Sequence, residues 1–98
     1  MIKVERVKAN HYRVRVPKNL EGDLREAEVI LAYSNQHPGG IPIYEPYETI
    51  STRPIGKSLV GEFAVRKGEG RPYVNVMWWH KRPGMCGISA HTGFLAVQ

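Results

Sequence analysis

The chemically densest run in this chain is Trp78-Trp79-His80-Lys81-Arg82, two adjacent indole rings followed by three basic side chains. On a β-strand neighbouring side chains point to opposite faces, so one ring reaches a core while the other must find a partner or meet water. Aromatic faces interleaved with cations suit single-stranded nucleic acid, because bases stack on rings while Arg and Lys neutralise phosphates. The expected binding set is Arg13, Arg15, Arg66, Arg71, Trp78, Trp79, Lys81 and Arg82, provided that their strands share one sheet. The competing reading is structural, with one tryptophan in the core and the other covering a loop or a subunit contact.

A second group of reactive side chains follows directly. His80, Cys86, Ser89, His91 and Thr92 lie close in sequence. His80 and His91 could serve as acid and base in an RNase-like cleavage, with Arg82 stabilising developing charge and Cys86 as an alternative nucleophile. Both schemes need the groups to converge in space, and the plain alternative is a surface loop of small polar residues. Cys86, His91 and His80 lack the paired spacing of a structural zinc site, so neither a metal nor another cofactor is expected. Gly56-Lys57-Ser58 imitates the end of a phosphate-binding loop, but Ser51 stands where its first glycine belongs, and a strand rather than a helix follows. Tyr44 and Tyr47, with His37, Gly39 and Gly40, form a further candidate rim for a small planar ligand such as a nucleotide.

At 98 residues, 42% of them hydrophobic and 23% charged, the chain has room for one domain, residues 1–98, and too much apolar content for wholesale disorder. Its net charge of +5 is unevenly distributed. Residues 1–18 and 51–98 are strongly basic, while residues 19–50 hold Glu21, Asp23, Glu26, Glu28, Glu45 and Glu48 against Arg25 alone. Pairing of the two basic ends would make one positive face that attracts polyanions, whereas interleaving would neutralise it. The longest apolar stretch, residues 29–33, falls far short of a membrane span of roughly 20 residues. The charged first residues lack a secretory core, and the single cysteine suits a reducing compartment, so a cytoplasmic location is the expectation.

The elements that must position these groups read mainly as strands. Residues 2–8 and 12–16 form an expected hairpin turning through Ala9, Asn10 and His11, with Arg13 and Arg15 opposite the buried Tyr12, Val14 and Val16. Asp23 and Glu26 have capping-box spacing and predict a helix over residues 23–35, although the β-branched run at 29–33 suits a buried strand equally well. Pro42, Pro46 and Pro54 make residues 41–58 irregular or extended edge structure. Residues 59–66 and 72–79 are expected to pair as a hairpin across a glycine-containing loop, with Tyr73, Asn75, Met77 and Trp79 on one face of the second strand. A short last strand is expected over 94–97. The fold class is therefore α+β, mainly β: a single small domain with a curled antiparallel sheet of about five strands and one helix.

The leading functional expectation is a small non-catalytic binding protein for single-stranded nucleic acid or another polyanionic ligand, such as an acidic protein surface. The alternatives are the RNase-like or nucleotide-acting enzyme using His80 and His91, and a protein-binding inhibitor or adaptor. Self-association to a homo-oligomer is compatible with each of them.

Overall fold

The computed structural model describes residues 1–20, 24–40, 45–68, 70–82, 84 and 87–98, with the side chains of 25 and 26 excepted. Among these residues there are eight strands and no helix: β1 (Lys3–Lys8), β2 (His11–Pro17), β3 (Leu24–Ser34), β4 (Tyr47–Thr49), β5 (Arg53–Ile55), β6 (Ser58–Ala64), β7 (Arg71–His80) and β8 (Ile88–His91). They form two antiparallel four-stranded sheets, β1-β2-β6-β5 and β4-β3-β7-β8. The expected α+β fold with a single five-stranded sheet and one helix is thus replaced by an all-β architecture. No helix long and apolar enough to cross a membrane occurs among the described residues.

One core joins the sheets. Tyr12, Val14, Val16 and Leu59 from the first sheet pack with Val29, Leu31, Tyr33, Val74, Val76 and Trp78 from the second. Face-to-face sheets stand roughly 10 Å apart, in keeping with the 18 Å shortest extent of the molecule. Hydrogen bonds also cross the layers. Trp78 Nε1–H donates to the Pro17 carbonyl at 3.1 Å, and the Arg66 backbone N–H donates to Tyr33 Oη at 3.1 Å.

The first hairpin forms as its alternation dictates: β1 pairs β2, Arg13 and Arg15 are exposed between buried neighbours, and Asn10 takes the left-handed φ of 61° in the turn. Residues 24–34, by contrast, are strand where a helix was expected. Burial of every residue from Val29 to Ser34 explains the outcome, since β3 is a central strand with apolar cover on both faces and nine register pairs to β7. A helix there would forfeit that ladder, and tertiary pairing overrides local preference. Gly22 and Asp23, the expected start of the helix, lie outside the described residues.

The expected hairpin of residues 59–66 and 72–79 is also corrected. β6 pairs β2 and β5 in the first sheet, whereas β7 pairs β3 and β8 in the second. The glycine-containing link is a corner between layers, and alternation alone reads the same for a corner as for a hairpin. Gly70, at φ 109°, lies so close to the Ser34 backbone that a side chain would collide with it. The short strands β4 and β5 are sheet edges, as the prolines imply.

Residues 94–97 are not a strand. They leave β7 after the hydrogen bond from Leu95 N–H to the Pro72 carbonyl. The chain then crosses to β2, where the Tyr12 hydroxyl donates to the Ala96 carbonyl at 2.7 Å and Asn10 exchanges two hydrogen bonds with Gln98.

Candidate functional site

The outward face of the second sheet carries a groove of about 310 Å³. Register assembles it in rows. Ile30, Asn75 and His91 stand side by side on β3, β7 and β8, and Glu28, Met77 and Ser89 form the next row. Trp79 lines the groove two positions beyond Met77, and Tyr47 lines it from the edge strand β4. Gly39 and Gly40 complete the lining from the segment that follows β3.

Three features give the groove its chemistry. Both rings offer surface: Trp79 is 41% exposed and Tyr47 50%. Asn75, only 8% exposed as a residue, presents to the groove a carboxamide that makes no hydrogen bond among the described residues and is not sealed from water. Neither Lys nor Arg is among the described lining residues, and Glu28 supplies the carboxylate. The Trp79 Nε1–H points at Glu28 Oε2 from 3.4 Å, a long contact that a ligand can displace.

Tyr73 secures one end of the groove. Fully buried, it donates its hydroxyl to Glu45 Oε2 at 2.6 Å and accepts from the Gly39 backbone N–H, while His91 and Phe94 meet its ring edge-on. Burial first, and the Glu45 carboxylate second, push its pKa well above the ordinary tyrosine value. His91 Nδ1 lies 2.8 Å from the Thr92 carbonyl, which places the proton of the neutral ring on Nδ1. The rest of the imidazole packs against Gly39, where φ is 83° and any Cβ would strike it.

Replacing Tyr73 with phenylalanine is expected to cost about 1.5–3 kcal/mol in urea unfolding, the range for losing a hydrogen bond to a charged group. Because the folded phenol holds its proton more tightly than the unfolded one, its stabilisation is complete below about pH 10 and declines as pH rises further. The variant should therefore lack part of the alkaline loss of stability seen in the parent. Identical stability–pH curves would show that Tyr73 does not anchor this segment.

The structure divides the residues singled out from sequence. Trp79 lines the groove, and Arg71, Lys81 and Arg82 stand at or beyond the two ends of the same strand. Arg71 lies over the Phe94 ring at 4.0 Å and donates to the Gln36 carbonyl at 3.1 Å. Trp78 is fully buried in the core and has no face to offer a ligand. Arg13 and Arg15 belong to the first sheet, on the opposite side of the sandwich. Arg66 sits at the corner between sheets, 5.5 Å over the Tyr33 ring and 3.6 Å from Glu48.

His80 and His91 do not converge. They point to opposite faces of the second sheet, and His91 stands opposite Asn75, five residues along β7 from His80. At about 3.4 Å per residue that is roughly 17 Å. Cys86 and Tyr44 lie outside the described residues, and His37 is exposed. Gly39, Gly40 and Tyr47, paired on paper as a ligand rim, do share the groove. Asn75 was legible only as a member of one of the two faces of β7; the signal for its role was a lone amide on a face otherwise of rings and thioether.

Comparisons with known protein families, with curated proteins and with solved structures find no match for this chain.

Proposed function

We propose that the protein is a non-catalytic binding module that holds an unpaired base of a single-stranded nucleic acid in the groove of the second sheet. The observation that carries this reading is the Asn75 carboxamide, which faces the groove without a hydrogen bond among the described residues, between two half-exposed rings. An amide donates and accepts together, which matches the edge of a base, while Trp79 or Tyr47 supplies a stacking face. Glu28 disfavours a phosphate inside the groove, and Arg71, Lys81 and Arg82 place positive charge at its two ends. That polarity sets the base inward and the backbone outward. The separation of His80 and His91 supports binding over acid–base cleavage.

Titration with single-stranded and duplex oligonucleotides, followed by tryptophan fluorescence at two salt concentrations, tests the proposal. The expected result is saturable quenching by single strands, with a log–log salt slope of about −2 if three cations meet phosphates at roughly −0.7 each. Equal response to duplex, or none to either, would overturn it. A second reading rests on Glu28 and Ser89, which with Asn75 would also bind the hydroxyls of a neutral saccharide. Quenching by a neutral oligosaccharide and not by oligonucleotides would replace the first reading with that one.

A further inference from the structure

The outward face of the first sheet sorts its charges into two neighbouring rows with opposite outcomes. In one row Glu5, Arg13 and Glu62 stand side by side on β1, β2 and β6. Arg13 Nη1 meets Glu5 Oε1 at 3.0 Å, and Arg13 Nη2 meets Glu62 Oε1 at 2.8 Å. Glu62 foremost, with Glu5, raises the Arg13 pKa and keeps that guanidinium committed. In the next row Lys3 stands opposite Arg15, and Val60 separates Arg15 from Arg53. Among the described residues none of these three cations has an acidic partner, since both nearby carboxylates are spent on Arg13.

Like charges directly opposite on a sheet are destabilising, so an unneutralised row needs a compensating ligand or is tolerated at a cost. Its geometry is that of a receptor. Arg15 and Arg53 are two strand spacings apart, roughly 10 Å, on either side of Val60, which is outward-facing yet only 6% exposed. They line one recess of about 540 Å³ together with Ser51, Thr52 and the Arg13–Glu62 ion pair. In that pair the Glu62 charge is offset by Arg13, whereas Glu28 of the other groove has no cation beside it among the described lining residues. Gly61 lets that segment run against β6, because any Cβ there would collide with the Ser51 carbonyl.

We propose that this recess binds a phosphate group, with Arg15 and Arg53 donating to its oxygens from opposite sides and Ser51 or Thr52 adding a hydroxyl donor. Guanidinium groups match oxyanions through paired, charge-assisted hydrogen bonds. The site is separate from the groove of the second sheet and stands or falls without it. A phosphodiester backbone and a free phosphorylated small molecule share the required chemistry.

NMR titration of the full chain with inorganic pyrophosphate and, separately, with oligothymidylate tests the proposal through the arginine Nε–H and the Ser51, Thr52 and Arg53 amide resonances. Shifts concentrated at Arg15, Arg53 and residues 51–53 are expected with pyrophosphate. Their appearance with the oligonucleotide as well identifies the phosphodiester source, and pyrophosphate alone identifies the small-molecule source. Combining Arg15→Ala with Arg53→Ala should weaken pyrophosphate binding roughly tenfold or more, the loss expected on removing charge-assisted hydrogen bonds to an oxyanion. Glu62→Gln should strengthen binding severalfold, because it frees the Arg13 Nη2 side of the guanidinium and removes a repelling carboxylate, a gain that loss of folding cannot mimic. Shifts spread evenly over Lys57, Arg71 and Lys81, or no tightening in Glu62→Gln, would overturn the proposal. Perturbation of the Trp79 indole alone would overturn it too, while leaving the groove reading intact.

Discussion

Replacing Asn75 with leucine is expected to abolish ligand binding in the groove at little cost to stability. The carboxamide makes no hydrogen bond among the described residues, and neither of its polar atoms is sealed from water, so it faces the solvent of the groove. Its removal breaks no hydrogen bond among those residues, and leucine is close in size and adds apolar contact with Ile30 and Met77. Urea unfolding should shift by no more than about 0.5 kcal/mol with an unchanged slope. The same variant should show no saturable quenching with single strands. A side chain whose loss spares the fold and removes binding is a binding residue. A loss of stability in Asn75→Leu would instead mark the amide as structural and remove the main support for the groove.

The adjacent tryptophans should give opposite phenotypes. Trp78 is fully buried and donates to the Pro17 carbonyl across the layers, so Trp78→Ala opens a cavity between the sheets and leaves that carbonyl unpaired. A cost of about 3–5 kcal/mol is expected, a large share of the 5–15 kcal/mol typical of a whole domain. Trp79→Ala removes a ring that is 41% exposed and should change stability by only about 0.5 kcal/mol. It should nevertheless remove one stacking platform, worth about 1–3 kcal/mol per base, or roughly 5- to 150-fold in affinity. Denaturant unfolding and the fluorescence of the remaining indole separate the two effects. If Trp79→Ala unfolds the protein, or binds single strands as the parent does, the assignment of Trp79 to the ligand fails.

Much of the local structure was legible because a strand's period of two is written in side-chain type. The alternation Tyr12, Val14, Val16 against Arg13 and Arg15 reads as a half-buried strand, and β2 is one. The grouping of Tyr73, Asn75, Met77 and Trp79 on one face of β7 was legible for the same reason. Periodicity did not reveal which of the two β7 faces meets the core, because both carry large apolar residues. That ambiguity is why Trp78 entered the expected binding set although it is the largest fully buried side chain of the second sheet.

The helix expected over residues 23–35 failed on a different ground. Strand β3 is central and covered on both faces, so its continuous apolar run carries no alternation to mark it as a strand. The expectation of one shared positive face depended wholly on strand order. With β6 in one sheet and β7 in the other, Arg13 and Arg15 are separated from Trp79 by the thickness of the sandwich.

Residue order alone therefore determined that the chain is basic and dominated by antiparallel strands, with Arg13 and Arg15 facing outward from β2. Those properties follow from composition and from alternation between nearest neighbours, which are local. The tertiary structure alone decided that the strands divide into two layers, that Asn75 lies between two rings, and that Glu5 and Glu62 meet Arg13 while Lys3, Arg15 and Arg53 are left unneutralised. Each of these depends on pairing between residues far apart in the chain, where the register of one strand against another, and not the pattern within either, sets which side chains become neighbours.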